Sequence, residues 1–141
     1  MVALSASDTP NAPQDSEGPA TDNPEQPRAA HRPLTVLQVL PRLDLGGVER
    51  GAVEIARAIT AAGGRALVAS EGGRLAARLL ACGAEPVTAP MASKNPLVMA
   101  ANVRRLARLI REERVDIVHA RSRAPAWSAW LAARQTGCAF V

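Results

Sequence analysis

Two short stretches of this chain carry the side chains and backbone that could do chemistry. The first is Pro41-Arg42-Leu43-Asp44-Leu45-Gly46-Gly47-Val48-Glu49-Arg50. Paired glycines where a helix begins let a ligand approach the backbone closely. The free N–H groups and the positive dipole end at that point suit a phosphate. The same residues also read as a flexible turn in which Asp44 or Gly46 caps the helix. The second stretch is His119-Ala120-Arg121-Ser122-Arg123. An imidazole, two guanidiniums and a hydroxyl gathered there could hold a phosphate or sugar hydroxyls. A solvated basic loop, with His119 hydrogen-bonded in the sheet edge, has the same composition.

The elements that must position these residues alternate along the chain. Leu34 to Leu40 is an apolar run of strand length. Gly47 to Ala62 places Val48, Ala52, Ile55, Ile59 and Ala62 at helical spacing and stops at Gly63-Gly64. Ala66 to Ser70 reads as a second strand, Arg74 to Cys82 as a second helix and Glu85 to Ala89 as a third strand. Asn95-Pro96 has the form of an N-cap followed by proline at the first helical position. It opens a helix to about Arg114 that buries Met99, Val103, Leu106 and Ile110. Val115 to His119 is a fourth strand, Pro125 to Thr136 a fourth helix, and Gly137 leads into a fifth strand at Cys138 to Val141.

Short strand–helix connections imply parallel strands joined by right-handed crossovers. The fold class is therefore α/β, a doubly wound Rossmann-like parallel sheet. Ligands of such sheets sit beyond the carboxyl ends of the strands where strand order reverses, here between the first and fourth strands. The loops at that place are Pro41 to Gly47 and Ala120 to Ala124, which hold most of both chemical stretches. Because the last residues form an uncapped apolar strand, the sequence reads as a fragment.

Composition agrees with this class. Hydrophobic residues make up 48% of the chain and aromatic ones only 2%, so the core is built from Ala, Leu, Val and Ile. Residues 1–32 hold five of the eleven prolines among polar residues and read as a disordered tail; the domain is expected over residues 33–141. Charge is uneven along the chain. From Pro33 onward, fifteen Arg and Lys face eight Asp and Glu, a net of +7 against +4 for the whole chain. A basic domain invites a phosphate-bearing ligand, an anionic membrane surface or nucleic acid. No apolar run reaches the ~20 residues of a membrane span, and Met1 to Pro13 lacks the pattern of a secretory signal. Cys82 and Cys138 form neither a disulfide framework nor a metal spacing, read as buried inert thiols, and fit a cytoplasmic location. Arg104, Arg105, Arg108 and Arg111 read as a solvated face or a membrane-facing one. Trp127 and Trp130 share a helix face and are expected to pack against the sheet or a neighbour.

Leu37-Gln38-Val39-Leu40-Pro41 followed by Leu45-Gly46-Gly47-Val48-Glu49-Arg50 resembles the opening of the family-4 retaining glycosyltransferases of GT-B fold. Ser93-Lys94-Asn95-Pro96-Leu97 and the segment Asp116 to Trp127 resemble proteobacterial members associated with lipopolysaccharide or related cell-envelope glycans. The resemblance implies an enzyme with two Rossmann-like domains across a cleft. Its N-terminal domain mainly binds the acceptor, and its glycine loop approaches the donor's phosphates. Its C-terminal domain binds the nucleotide sugar and supplies a pair of glutamates. Hexosyl transfer would go to a cell-envelope glycan or lipid acceptor with retention, without a metal or other cofactor, in contact with the inner membrane and without nucleic acid. Gly46 and Gly47 match the glycine loop, and His119 matches the histidine closing strand four. Where many relatives carry His-x-His, this chain has His119-Ala120-Arg121. The candidate substrate-binding set is Gly46, Gly47, Arg50, His119, Arg121, Ser122 and Arg123. The glutamate pair belongs to a donor domain outside these residues, so no catalytic residue is assigned and the isolated chain is expected to be inactive.

Two other classes compete. Glu71, about twenty residues beyond the glycines, stands where the ribose-binding acid of a dinucleotide-binding oxidoreductase belongs. Against it, Gly46, Gly47 and Gly51 do not spell G-x-G-x-x-G and come late after the first strand. A non-catalytic α/β binding module is the third. Deleting residues 1–32 should leave the thermal midpoint of the domain nearly unchanged. A loss equivalent to more than ~1 kcal/mol would show that the tail packs on it.

Overall fold

The computed structural model describes residues 32–141. Among them, five strands form one parallel sheet: β1 (Thr35–Val39), β2 (Arg65–Ser70), β3 (Glu85–Thr88), β4 (Ile117–Ala120) and β5 (Ala139–Phe140). Their order is β3-β2-β1-β4-β5, so the reversal falls between β1 and β4 as the sequence implies. The connections contain α1 (Gly47–Ala61), α2 (Ala76–Ala81), α3 (Pro96–Glu112) and α4 (Arg123–Thr136). The expected disordered tail lies outside the described residues except for Arg32. Its guanidinium pairs with Asp116, and this carboxylate also accepts the Thr35 N–H at 2.8 Å.

The two-residue period of the strands divides the core. Leu37 and Val39 of β1, Leu67 and Ala69 of β2 and Val118 of β4 pack with Leu106, Ile110 and Ala129 of α3 and α4. Leu40, Ala66 and Val68 point the other way, onto Ala52 and Ala56 of α1 and Leu79 of α2. Strands buried on both faces are predominantly apolar, which is why β1 and β2 show no polar alternation. α3 starts as its sequence dictates: the Asn95 side chain accepts the Leu97 N–H at 2.9 Å and Pro96 follows it.

Several details differ from the sequence reading, three of them on the helices. α1 buries Ala52, Val53 and Ala56, not a stripe running from Val48, which is exposed. Two alanines one turn apart let the helix lie close to the sheet and turn Val48 outward. α2 is shorter than Arg74–Cys82. α4 opens at Arg123, two residues before Pro125.

The loops leaving the carboxyl ends of the first three strands are tied together. Leu43 is fully buried; its N–H donates to Gly72 O at 2.9 Å and its carbonyl accepts the Leu75 N–H at 2.8 Å. Glu71 donates its N–H to Pro41 O at 2.9 Å, pairs with Arg42 at 3.3 Å and accepts the Ala92 N–H at 3.3 Å. Gly73, at φ +149°, lies so close that a Cβ there would collide with the Leu43 carbonyl. Gly73→Ala should therefore destabilise the domain by ~1–3 kcal/mol, read as a lower midpoint in urea or heat. An unchanged midpoint would mean that the two loops relax independently.

Candidate functional site

The first wall of the crevice is the start of α1. Gly46 is its N-cap, extended at φ −73° and ψ 172°, with no side-chain cap. Neither Gly46 nor Gly47 takes a positive φ, so backbone geometry does not demand glycine at either. A Cβ on Gly47 would meet nothing within 4 Å, and one on Gly46 would meet only the Glu49 carboxylate. Glu49 thus folds back over the helix start, placing its negative charge at the positive end of the helix.

The second wall comes from β4. His119 is in register with Gln38 of β1, and Ala120 with Val39. Val118 and Ala120 pack with the α3–α4 layer, which puts His119 on the α1 side of the sheet. Burial first, then the Arg121 charge, lowers the His119 pKa below the usual histidine value, so the imidazole is neutral at neutral pH. The Arg121 N–H donates to Val39 O at 2.9 Å, fixing the backbone. Its guanidinium then crosses to α1, where Nη2 lies 2.7 Å from the position a Cβ on Gly51 would take.

The stretch expected as a loop over Ala120–Ala124 is otherwise divided. Ala120 ends β4, Arg123 begins α4, and only Arg121 and Ser122 lie between. Ser122 is the N-cap of α4, its hydroxyl unspent on the helix, and the first turn holds no acid. The crevice between β1 and β4 is therefore flanked by two helix starts, with Arg121 reaching from one to the other.

Sequence reading missed two residues here. Gly51 makes room for Arg121. Its signal was a glycine inside a helix, which costs about 1 kcal/mol against alanine and so asks for a reason. Gln38 hides within an apolar run: fully buried, it donates from Nε2 to Ala52 O of α1 at 2.9 Å. Its Oε1 has no donor among the described residues. Other residues singled out from the sequence have structural partners or face solvent. Asn95 is occupied in capping α3. Of the two places expected for Trp127 and Trp130, the sheet is ruled out and a neighbour is not: they are 65% and 36% exposed on the outer side of α4. Cys82 and Cys138 are half-buried, not buried, each thiol donating to a backbone carbonyl, and desolvation raises the Cys138 pKa. Among the described residues, no group of three or more His, Cys, Asp or Glu gathers to hold a metal ion.

The sequence profile of Glycosyltransferase Family 4 matches residues 45–141, from the glycine loop through β4 to the last strand. The chain belongs to glycosyltransferase family 4. A solved glycosyltransferase from Rickettsia africae ESF-5 is 41% identical, with a TM-score of 0.71 over 78% of this chain and 29% of its own. The glycotransferase of kitacinnamycin is 21% identical, with a TM-score of 0.53 over 78% of this chain and 30% of its own. A UDP-N-acetylglucosamine 2-epimerase is 17% identical, with a TM-score of 0.50 over 77% of this chain and 32% of its own. These last two show the fold alone. The family-4 chain thus spans about 30% of the length of the structures it resembles. A comparison with curated proteins gives no significant match.

The His119 shift has a consequence for stability. With its folded pKa below that of the unfolded chain, the unfolded state takes up the proton first as pH falls below about 6.5. Stability is then complete above that pH and declines until the folded pKa is passed. The thermal midpoint should fall between pH 7 and pH 5.5, and His119→Gln should reduce that slope. An NMR titration placing the His119 pKa at or above the usual histidine value would contradict the assignment.

Proposed function

We propose that residues 33–141 of this family-4 chain are the acceptor-side, N-terminal half of a GT-B glycosyltransferase. Its second domain binds a nucleotide sugar, and the hexosyl group passes to a cell-envelope glycan or lipid acceptor with retention. The observation that carries this reading is the pair of helix starts beside the β1–β4 crevice. Arg121 and Arg123 stand at the positive end of α4, whose first turn holds no acid. Like charge at a helix start costs free energy, and an anionic ligand would relieve it.

The glycine loop supports a specific role. Because Gly47 has open space and an ordinary φ, its missing side chain serves an approaching group and not the fold. A donor diphosphate reaching the α1 N–H groups would take the place of the Glu49 carboxylate. Arg50, Arg121, Ser122 and Arg123 would hold phosphate or acceptor hydroxyls, and the neutral His119 would offer one hydrogen-bond donor and one acceptor. The oxidoreductase reading loses its main residue, since the Glu71 carboxylate is engaged by Arg42 and the Ala92 N–H.

Peripheral contact with the cytoplasmic face of the membrane is part of the proposal. No helix among the described residues is long and apolar enough to cross a membrane. The outer side of α4 presents Trp127 and Trp130, edge to face at 6.0 Å, with Arg134 at 5.5 Å from the Trp130 ring. Beside it, α3 carries exposed Leu97 at its start and exposed Arg104 two turns further on. Aromatic rings with arginines suit an anionic lipid surface.

In a protein carrying both domains, Gly47→Val should leave the fold intact by circular dichroism while transfer falls on the order of a hundredfold, the scale of losing aligned N–H donors to a phosphate. Normal turnover per folded molecule would sink the phosphate-loop assignment.

A further inference from the structure

Beyond the crevice, α1 and α2 enclose a groove of about 190 Å³ lined by Arg50, Val53, Glu54, Arg57, Leu75 and Arg78. We infer that this groove binds an oxyanion, a phosphate or carboxylate, carried by the acceptor; the inference rests on the glycosyltransferase reading above and names the class of acceptor. The three arginines are exposed. Among the described residues, the ion pairs are formed by Arg32, Arg42, Arg65 and Arg108, and none involves a groove arginine.

Glu54 is the one carboxylate on the rim, so the groove keeps a net positive charge even with its own acid counted. Three guanidiniums around so small a space repel one another; Glu54, one turn from Arg50 and from Arg57 on α1, forms no ion pair with them, and its single charge offsets only one of the three. Arginine forks match the oxygens of phosphate and carboxylate in pairs. Arg50 and Arg57 are seven residues apart, ~10 Å along the helix, which spaces the cations over a length and not at a point.

The floor differs from the rim. Val53 and Leu75 line it but are 6% and 2% exposed, so the groove presents to a ligand mainly the guanidiniums and aliphatic stems of its arginines. Position links the groove to the crevice. Arg50 lies in the first turn of α1, directly after the glycine loop, and Leu75 is held to that loop by its N–H bond to Leu43 O at 2.8 Å. An acceptor lying along the groove would therefore end at the α1 helix start, where transfer is proposed.

The test is a titration of the 141-residue chain with glucose 6-phosphate, glucose and inorganic phosphate, followed through the arginine Nε–H resonances by NMR. Glucose 6-phosphate should shift Arg50, Arg57 and Arg78 saturably, while glucose should not. The double variant R57Q/R78Q, which alters exposed side chains only, should bind at least ~10-fold more weakly, equivalent to ~1.4 kcal/mol. Unchanged affinity in that variant would overturn the site. So would shifts confined to Arg121 and Arg123, or inorganic phosphate binding as tightly as the sugar phosphate, which would leave a free-anion site and no acceptor subsite. None of these measurements involves a nucleotide sugar, so their failure leaves the transferase reading standing. Failure of the Gly47→Val experiment, in turn, leaves the arginine groove intact as a measured binding site.

Discussion

A loop that starts at a proline and ends at two glycines has little intrinsic reason to hold one shape, and Leu43 supplies the reason. Its side chain is fully buried, and its N–H and carbonyl are both committed to the neighbouring loop. Burying a leucine contributes roughly 1.5–3 kcal/mol, enough to keep the loop seated while Asp44, Leu45, Gly46 and Gly47 beyond it stay exposed. The α1 start is thus rigid at its root and open at its tip. The crevice depends on that anchoring, because Arg121 can bridge to Gly51 only if α1 keeps its place over the sheet.

Charge is distributed against the grain of folding. The amino edge of the sheet pairs its charges: Arg65 joins Glu85 at 2.8 Å and Glu113 at 2.7 Å, and Arg32 joins Asp116. The carboxyl edge, by contrast, gathers Arg121 and Arg123 at a helix start without an acid in the first turn. Exposed pairs such as those of the amino edge are worth at most about 1 kcal/mol each, so they decide little about stability. What they show is where cations have been matched and where they have not. Arg121 and Arg123, which form no ion pair among the described residues, lie on the side of the sheet where α/β folds bind ligands.

How much of this was legible in the residues follows from what each signal depends on. The strand–helix alternation, the Asn95-Pro96 helix start and the reversal between β1 and β4 depend on local composition and chain order, and each could be read directly. The Gly51–Arg121 contact could not: it joins residues seventy positions apart, and only the packing of α1 beside β4 brings them together. The start of α4 was placed late because Pro125 looked like a first helical residue, whereas the chain begins the turn at Arg123 with Ser122 as its cap. Of the two places open to Trp127 and Trp130, the sheet is excluded for a different reason. Large aromatic rings usually mark a core, but Ala129, Ala132 and Ala133 fill the inward face of α4 and leave the rings no room there. Gln38 was invisible because a single polar residue in an apolar strand gives no sign of whether it is buried.

The placement of those two rings also decides what light can report about this molecule. The chain has two tryptophans and no tyrosine, so nearly all of its near-ultraviolet absorption and emission arises from one solvent-facing stripe of α4. The interior, assembled from Leu, Val, Ile and Ala, is optically silent. Trp127, 65% exposed against 36% for Trp130, has little further to shift when the sheet comes apart, so a fluorescence melt of this domain records the environment of α4 more than the integrity of the core. The same property makes the pair a built-in probe, with no added dye, for anything that settles on the outer surface of that helix.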